Sequence, residues 1–122
     1  MSRKVMIVDH SNVVRQSLVF ILERAGYEVV EATCGMNALC LMKKHSIGLF
    51  ISDTNMPGMD GITFLKRIKE DKDNKYIPVI MHISEKNNDS LYGLNGSEAR
   101  TWNIKPFRPE QLLAAVKLLF VA

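Results

Sequence analysis

The chain has little of what several protein classes require. Its two cysteines, Cys34 and Cys40, are too few to staple a chain of 122 residues, and with His45 they lack the paired spacing of a zinc site. They read as two small side chains with reduced thiols. The longest apolar runs are four or five residues, which excludes a membrane-spanning helix. Met1-Ser2-Arg3-Lys4 carries the charge of a signal peptide, but the apolar run behind it, Val5 to Val8, stops at Asp9, short of the required core. A cytoplasmic protein with no membrane partner is expected. No glycine-rich loop ends in Lys-Ser/Thr, so a P-loop is absent. Charge is also sparse: 16 Lys plus Arg against 13 Asp plus Glu leave a net +3 with a pI near 9.0. That mild, unclustered balance argues against direct nucleic-acid binding.

What is present is ordinary globular material in a strict alternation. Hydrophobic residues are 47% and charged residues 24%, and the length suits one domain, residues 1–122. Val5 to Val8 is a short continuous apolar run, the mark of a strand buried on both faces. From Asn12 to Ala25 the apolar positions Val14, Leu18, Ile21, Leu22 and Ala25 fall at helical spacing, with Ser11 or Asn12 to cap the start and Gly26 to stop it. Tyr27 to Ala32 is extended, Met36 to Lys44 helical and Ile47 to Ser52 a buried strand. Pro57-Gly58 turns into a helix over Gly61 to Glu70, and the alternating charges of Lys69 to Lys75 form a surface loop. Ile77 to Ile83 and Arg100 to Ile104 are two further strands, and Glu110 to Val121 is a last helix with Pro109 in its first turn. This pattern predicts an α/β fold: a single doubly wound, five-stranded parallel sheet with helices on both faces.

In such sheets ligands bind beyond the carboxyl ends of the strands. Asp9 and His10 follow the first predicted strand, Asp53 and Asn55 the third, Ile83 and Ser84 the fourth, Lys105 and Pro106 the fifth. A single strand-end Asp serves readily as a helix cap. Two such carboxylates with a lysine form a different set, one suited to phosphoryl chemistry. The carboxylates can hold a hard divalent ion such as Mg2+, the lysine can meet a phosphoryl oxygen, and a carboxylate beside the ion can carry a phosphoryl group as a mixed anhydride.

The stretch Asp53-Thr54-Asn55-Met56-Pro57-Gly58-Met59-Asp60-Gly61, with Val8-Asp9, Pro78-Val79-Ile80-Met81 and Lys105-Pro106-Phe107, resembles the receiver domain of two-component response regulators over essentially the whole chain. The resemblance implies the flavodoxin-like strand order 2-1-3-4-5. It implies a phosphoacceptor domain, not a turnover enzyme, that assists its own phosphorylation and dephosphorylation. On this resemblance Asp53 accepts a phosphoryl group from a sensor histidine kinase or phosphotransfer protein. Asp9, Asp53 and the backbone carbonyl of Asn55 ligate the metal, Lys105 contacts the phosphoryl group, and the Lys105–Pro106 bond is cis. Trp102 stands where the family places a switch aromatic. The fourth helix, fifth strand and last helix would form the face for a downstream protein partner.

Three positions depart from that pattern. His10 replaces the second acidic residue after the first strand, leaving the site one carboxylate short. Imidazole is a poor ligand for Mg2+ and a better one for later transition ions, so Mg2+ should bind weakly and Mn2+ or another divalent ion could serve. His10 could instead hydrogen-bond a neighbouring carboxylate. Ile83 falls where the family carries a Thr or Ser hydroxyl. Ser84 follows directly, but strand side chains alternate, so it reaches the pocket only through a bulge or an early strand end. Finally, residues 85–97 hold two glycines and three asparagines, which predicts a short, irregular fourth helix.

The alternative to a phosphorylated receiver is a pseudo-receiver, a protein-binding module independent of phosphorylation. An aspartate-nucleophile phosphatase would need a second carboxylate two residues past Asp9, where Ser11 stands, and a flavin site would need a glycine loop there. The kinase, signal and output are not legible in the sequence, nor is whether the domain stands alone or belongs to a longer chain.

Overall fold

A computed structural model describes residues 3–54, 56–84, 101–105 and 108–121, with side chains described for all of these except 83–84, 101–105 and 121. The elements run β1 (Lys4–Val8), α1 (Asn12–Arg24), β2 (Glu28–Ala32), α2 (Gly35–Leu41), β3 (Leu49–Asp53), α3 (Gly61–Glu70), β4 (Val79–Ser84), β5 (Thr101–Lys105) and α4 (Pro109–Val121). The strands pair in parallel in the order β2-β1-β3-β4, with the backbone of β5 along the outer edge of β4. The expected doubly wound sheet is therefore present.

Alternation along the strands sorts the core into two layers. Met6, Val8, Phe50 and Met81 pack with Ala38 of α2 and Phe64, Leu65 and Ile68 of α3. Their neighbours Val5, Ile7, Leu49, Ile51 and Ile80 pack on the other face with Leu18 and Leu22 of α1 and Leu112 and Val116 of α4. Residues 5–8 of β1 and all of β3 are buried, as central strands covered on both sides must be. Burial of side chains such as Phe64 contributes about 1.5–3 kcal/mol each.

Local signals set the ends of the elements. Ser11 caps α1, its hydroxyl accepting from the Val14 N–H at 3.3 Å. At the other end Gly26, at φ 92°, donates to Glu23 and Tyr27 to Leu22. This is the paired-bond stop that a left-handed glycine makes possible. The second helix is shorter than its apolar pattern predicts, ending at Leu41 instead of Lys44. Its first residue follows Cys34, whose side chain makes no capping bond. Its last turn tightens through Lys44 N–H to the Leu41 carbonyl, which lets Gly48 N–H reach Lys4 and enter β3. Among the described residues no helix is long and apolar enough to cross a membrane.

Candidate functional site at the strand ends

The chain leaves β1 toward β2 on one side and reaches β3 on the other, so the sheet order reverses between β1 and β3. The register pairs Val8 with Ser52, which places Asp9 beside Asp53 at this reversal. Asp9 is 1% and Asp53 5% exposed, whereas the His10 side chain is 52% exposed. One ligand atom from each of these three residues lies within 4.8 Å of the others. His10 Nδ1 stands 3.6 Å from Asp53 Oδ2, just beyond the reach of a direct hydrogen bond.

The backbone holds this corner in place. Asp9 N–H donates to the Ala32 carbonyl at 3.1 Å, and Asp9 Oδ1 accepts the Ser11 N–H at 2.8 Å. The Arg15 guanidinium donates to the Asp9 carbonyl at 2.8 Å and to Glu31 Oε1 at 3.1 Å. On the Asp53 side, Thr54 N–H donates to the His82 carbonyl and the Thr54 carbonyl accepts from Gly61 N–H. Met56 and Met59 then bury their side chains in the core, with the chain turning between them at Gly58, φ 81°. Asp60 caps α3 by accepting the Thr63 N–H at 2.7 Å. Asp53 is thus fixed at a strand end by a loop that is anchored on both sides.

The first two strands end where the sequence pattern predicts, at Val8 and Ala32, and the other three end one residue later. Asp53, Ser84 and Lys105 are the last residues of β3, β4 and β5. The β4–β5 register is unbroken from Ile80↔Thr101 to Ser84↔Lys105, so neither of the backbone routes by which Ser84 could be redirected, a bulge or an early strand end, occurs there. Lys105 reaches the same sheet edge as Asp53 by backbone position. Its side chain lies outside the described residues, as do those of Ile83, Ser84 and Trp102, together with Asn55, the Lys105–Pro106 bond and residues 85–97.

Two contributors went unread in the sequence. His82 pairs in register with Asp53 and is 1% exposed; the signal was a lone polar residue inside the apolar run Val79 to Ile83. Gly61 has no room for a Cβ, which would overlap the Asp53 carbonyl and come within 2.6 Å of Thr54 Cα. Its place after Asp60 reads only as a helix start. At the opposite edge of the sheet a cleft of about 480 Å³, lined by Lys43, His45, Asp71 and Asp73 among others, includes none of the predicted site residues.

Two carboxylates and one half-exposed imidazole within this distance fit a divalent cation, with the imidazole favouring ions that accept nitrogen. Comparisons with known proteins identify relatives along the whole chain. The family model described as response regulator receiver domain matches residues 5–117. Chemotaxis protein CheY-3 of Vibrio cholerae is 30% identical over 96% of this chain and 91% of its own length. The phosphate regulon transcriptional regulatory protein PhoB of Escherichia coli is also 30% identical over 96% of the chain, but the match spans 51% of PhoB. Among solved structures, chemotaxis response regulator CheY4 of Vibrio cholerae superposes with a TM-score of 0.88 at 34% identity, covering 98% of this chain and 99% of that one. The signal receiver domain of a signal transduction histidine kinase from Syntrophus aciditrophicus gives 0.87 at 30% identity, covering 97% and 89%.

Proposed function

From the premise that this chain belongs to the response regulator receiver domain family of two-component signalling, we propose that Asp53 is its phosphoacceptor, charged by a sensor histidine kinase or a phosphotransfer protein. The observation that carries this reading is the placement of a buried Asp53 carboxylate beside Asp9 and His10 at the reversal of strand order. The whole of residues 1–122 is read as one receiver domain.

In the reaction an Asp53 carboxylate oxygen attacks phosphorus, and a P–O bond forms as the donor's P–N bond breaks. The electron pair stays on the departing imidazole nitrogen, which takes up a proton. The product is an acyl phosphate on Asp53. A divalent ion, when bound, offsets negative charge on the phosphoryl oxygens. Asp9, Asp53, His10 and the Asn55 carbonyl would hold it, and Asp9 is oriented for that task by the Ser11 N–H. Lys105 supplies the remaining positive charge from the end of β5. The Asp53–Gly61 loop keeps the nucleophile still, so that little ordering is needed at the moment of transfer.

Trp102 on β5, with Ile83 at the end of β4, is read as the route by which phosphorylation reaches the output face. That face is read as the fourth helix predicted within residues 85–97 together with β5 and α4, and it receives the downstream protein partner. Ile83 has no hydroxyl to bond the phosphoryl group, so the shift must run through charge at Lys105 and packing.

The test is intact-mass measurement after incubation with a small-molecule phosphodonor and a divalent salt. The wild-type chain should gain the mass of one phosphoryl group and Asp53→Asn should gain none. No gain in the wild type under conditions that modify an ordinary receiver would leave the pseudo-receiver, a binding module independent of phosphorylation, as the function.

A further inference from the structure

His10 is the donor that sets this site apart from an all-carboxylate one, and the backbone on either side of it is held. Its neighbours on both sides are pinned: Asp9 by Ala32 and Arg15, and Ser11 by its N–H to Asp9 Oδ1 and its hydroxyl to Val14. The ring is half exposed, open to an ion arriving from solvent, with Nδ1 turned to Asp53 Oδ2 at 3.6 Å. One ligand atom each of Asp9, His10 and Asp53 lies within 4.8 Å of the others, close enough for a single ion to take all three.

Selectivity follows from the donor type. Exchanging a carboxylate for a neutral imidazole weakens the Coulomb attraction for every divalent ion alike. It adds a nitrogen ligand whose benefit rises along the transition series and is negligible for Mg2+. The geometry points to Asp9, His10 and Asp53 as a site selective for a nitrogen-accepting transition ion of the Zn2+ or Co2+ kind over Mg2+, with His10 Nδ1 as a ligand. This inference rests on the receiver reading only for the identity of the site, since ion selectivity is measurable without any phosphoryl donor.

The experiment uses the full chain stripped of metal, with no phosphodonor, titrated with Zn2+, Co2+ and Mg2+ by calorimetry, while Co2+ is also followed by its visible absorption. One Zn2+ or Co2+ should bind at least about tenfold more tightly than Mg2+, a difference of roughly 1.4 kcal/mol or more. His10→Asp should close that gap by about tenfold or more, chiefly by tightening Mg2+, and Asp9→Asn should weaken all three ions. In the wild type alone, Co2+ should shift the His10 ring protons in NMR spectra, a readout that needs no variant to fold. Equal binding of Zn2+ and Mg2+, an unchanged ratio in His10→Asp, unshifted His10 protons, or Zn2+ retained at full strength in Asp9→Asn through Cys34, Cys40 or His45 would each overturn the inference. Failure to phosphorylate Asp53 in the metal-loaded chain would instead count against the phosphoacceptor reading and leave the selectivity standing.

Discussion

Gly61 sets how closely α3 approaches the acceptor strand. The atoms a Cβ would meet there are the backbone of Asp53 and Thr54, so no side-chain rotation can relieve the contact and the strand end itself must move. Gly61→Ala is expected to destabilise the fold by about 1–3 kcal/mol, the range for overpacking, and to slow acyl-phosphate formation, because the displaced backbone carries the nucleophile. Gly58→Ala is the control. Its φ is 81° with nothing within 4 Å of the new methyl, so the cost is conformational only, about 1–2 kcal/mol. Urea denaturation with phosphorylation kinetics separates the two: Gly61→Ala should lose stability and rate, Gly58→Ala mainly stability. At this scale the sequence was partly legible. Asp9, Asp53 and His10 stand out because polar residues directly after apolar runs are conspicuous. Gly61 and His82 do not, because their importance comes from what lies across the strand pair from them.

Helix α3 connects loop order to helix stability through its first turn. Asp60 is its N-cap, and its carboxylate accepts from Thr63 N–H one bond away from the Gly61–Thr54 contact that closes the acceptor loop. Asp60→Ala should cost about 1 kcal/mol, read as a lower urea midpoint at constant slope. Faster amide exchange is expected at Thr63 and Gly61 but not in α1, whose cap is Ser11. Elements with both a periodic apolar face and a side-chain cap, α1 and α3, begin where their sequences indicate. The second helix has the periodicity but Cys34 in place of a capping side chain, and its expected last turn is given up to the bend into β3. The ends of the last three strands shift by a residue because ladder pairing extends as far as a partner offers a register. Asp53, for instance, pairs with His82, information absent from either segment taken singly.

Across the whole molecule, the parallel order and two-layer core bring chain positions 9, 10 and 53 to one edge. The β-α alternation was enough to predict that edge, whereas the side-chain geometry at it was not predictable. Spacing in sequence places His10 next to Asp9 but cannot say that its ring turns toward Asp53 at 3.6 Å. The consequence is a receiver domain with the fold of its relatives, in which the proposed acceptor Asp53 stands beside Asp9 and His10. The most direct measurement is to treat the wild-type chain with a small-molecule phosphodonor and saturating divalent ion, reduce the product with borohydride, and map the peptides by tandem mass spectrometry. The prediction is homoserine, the reduction product of an aspartyl phosphate, at position 53 and only in the phosphodonor-treated sample. Homoserine at another carboxylate, or at none while the protein remains folded, would contradict Asp53 as the phosphoacceptor.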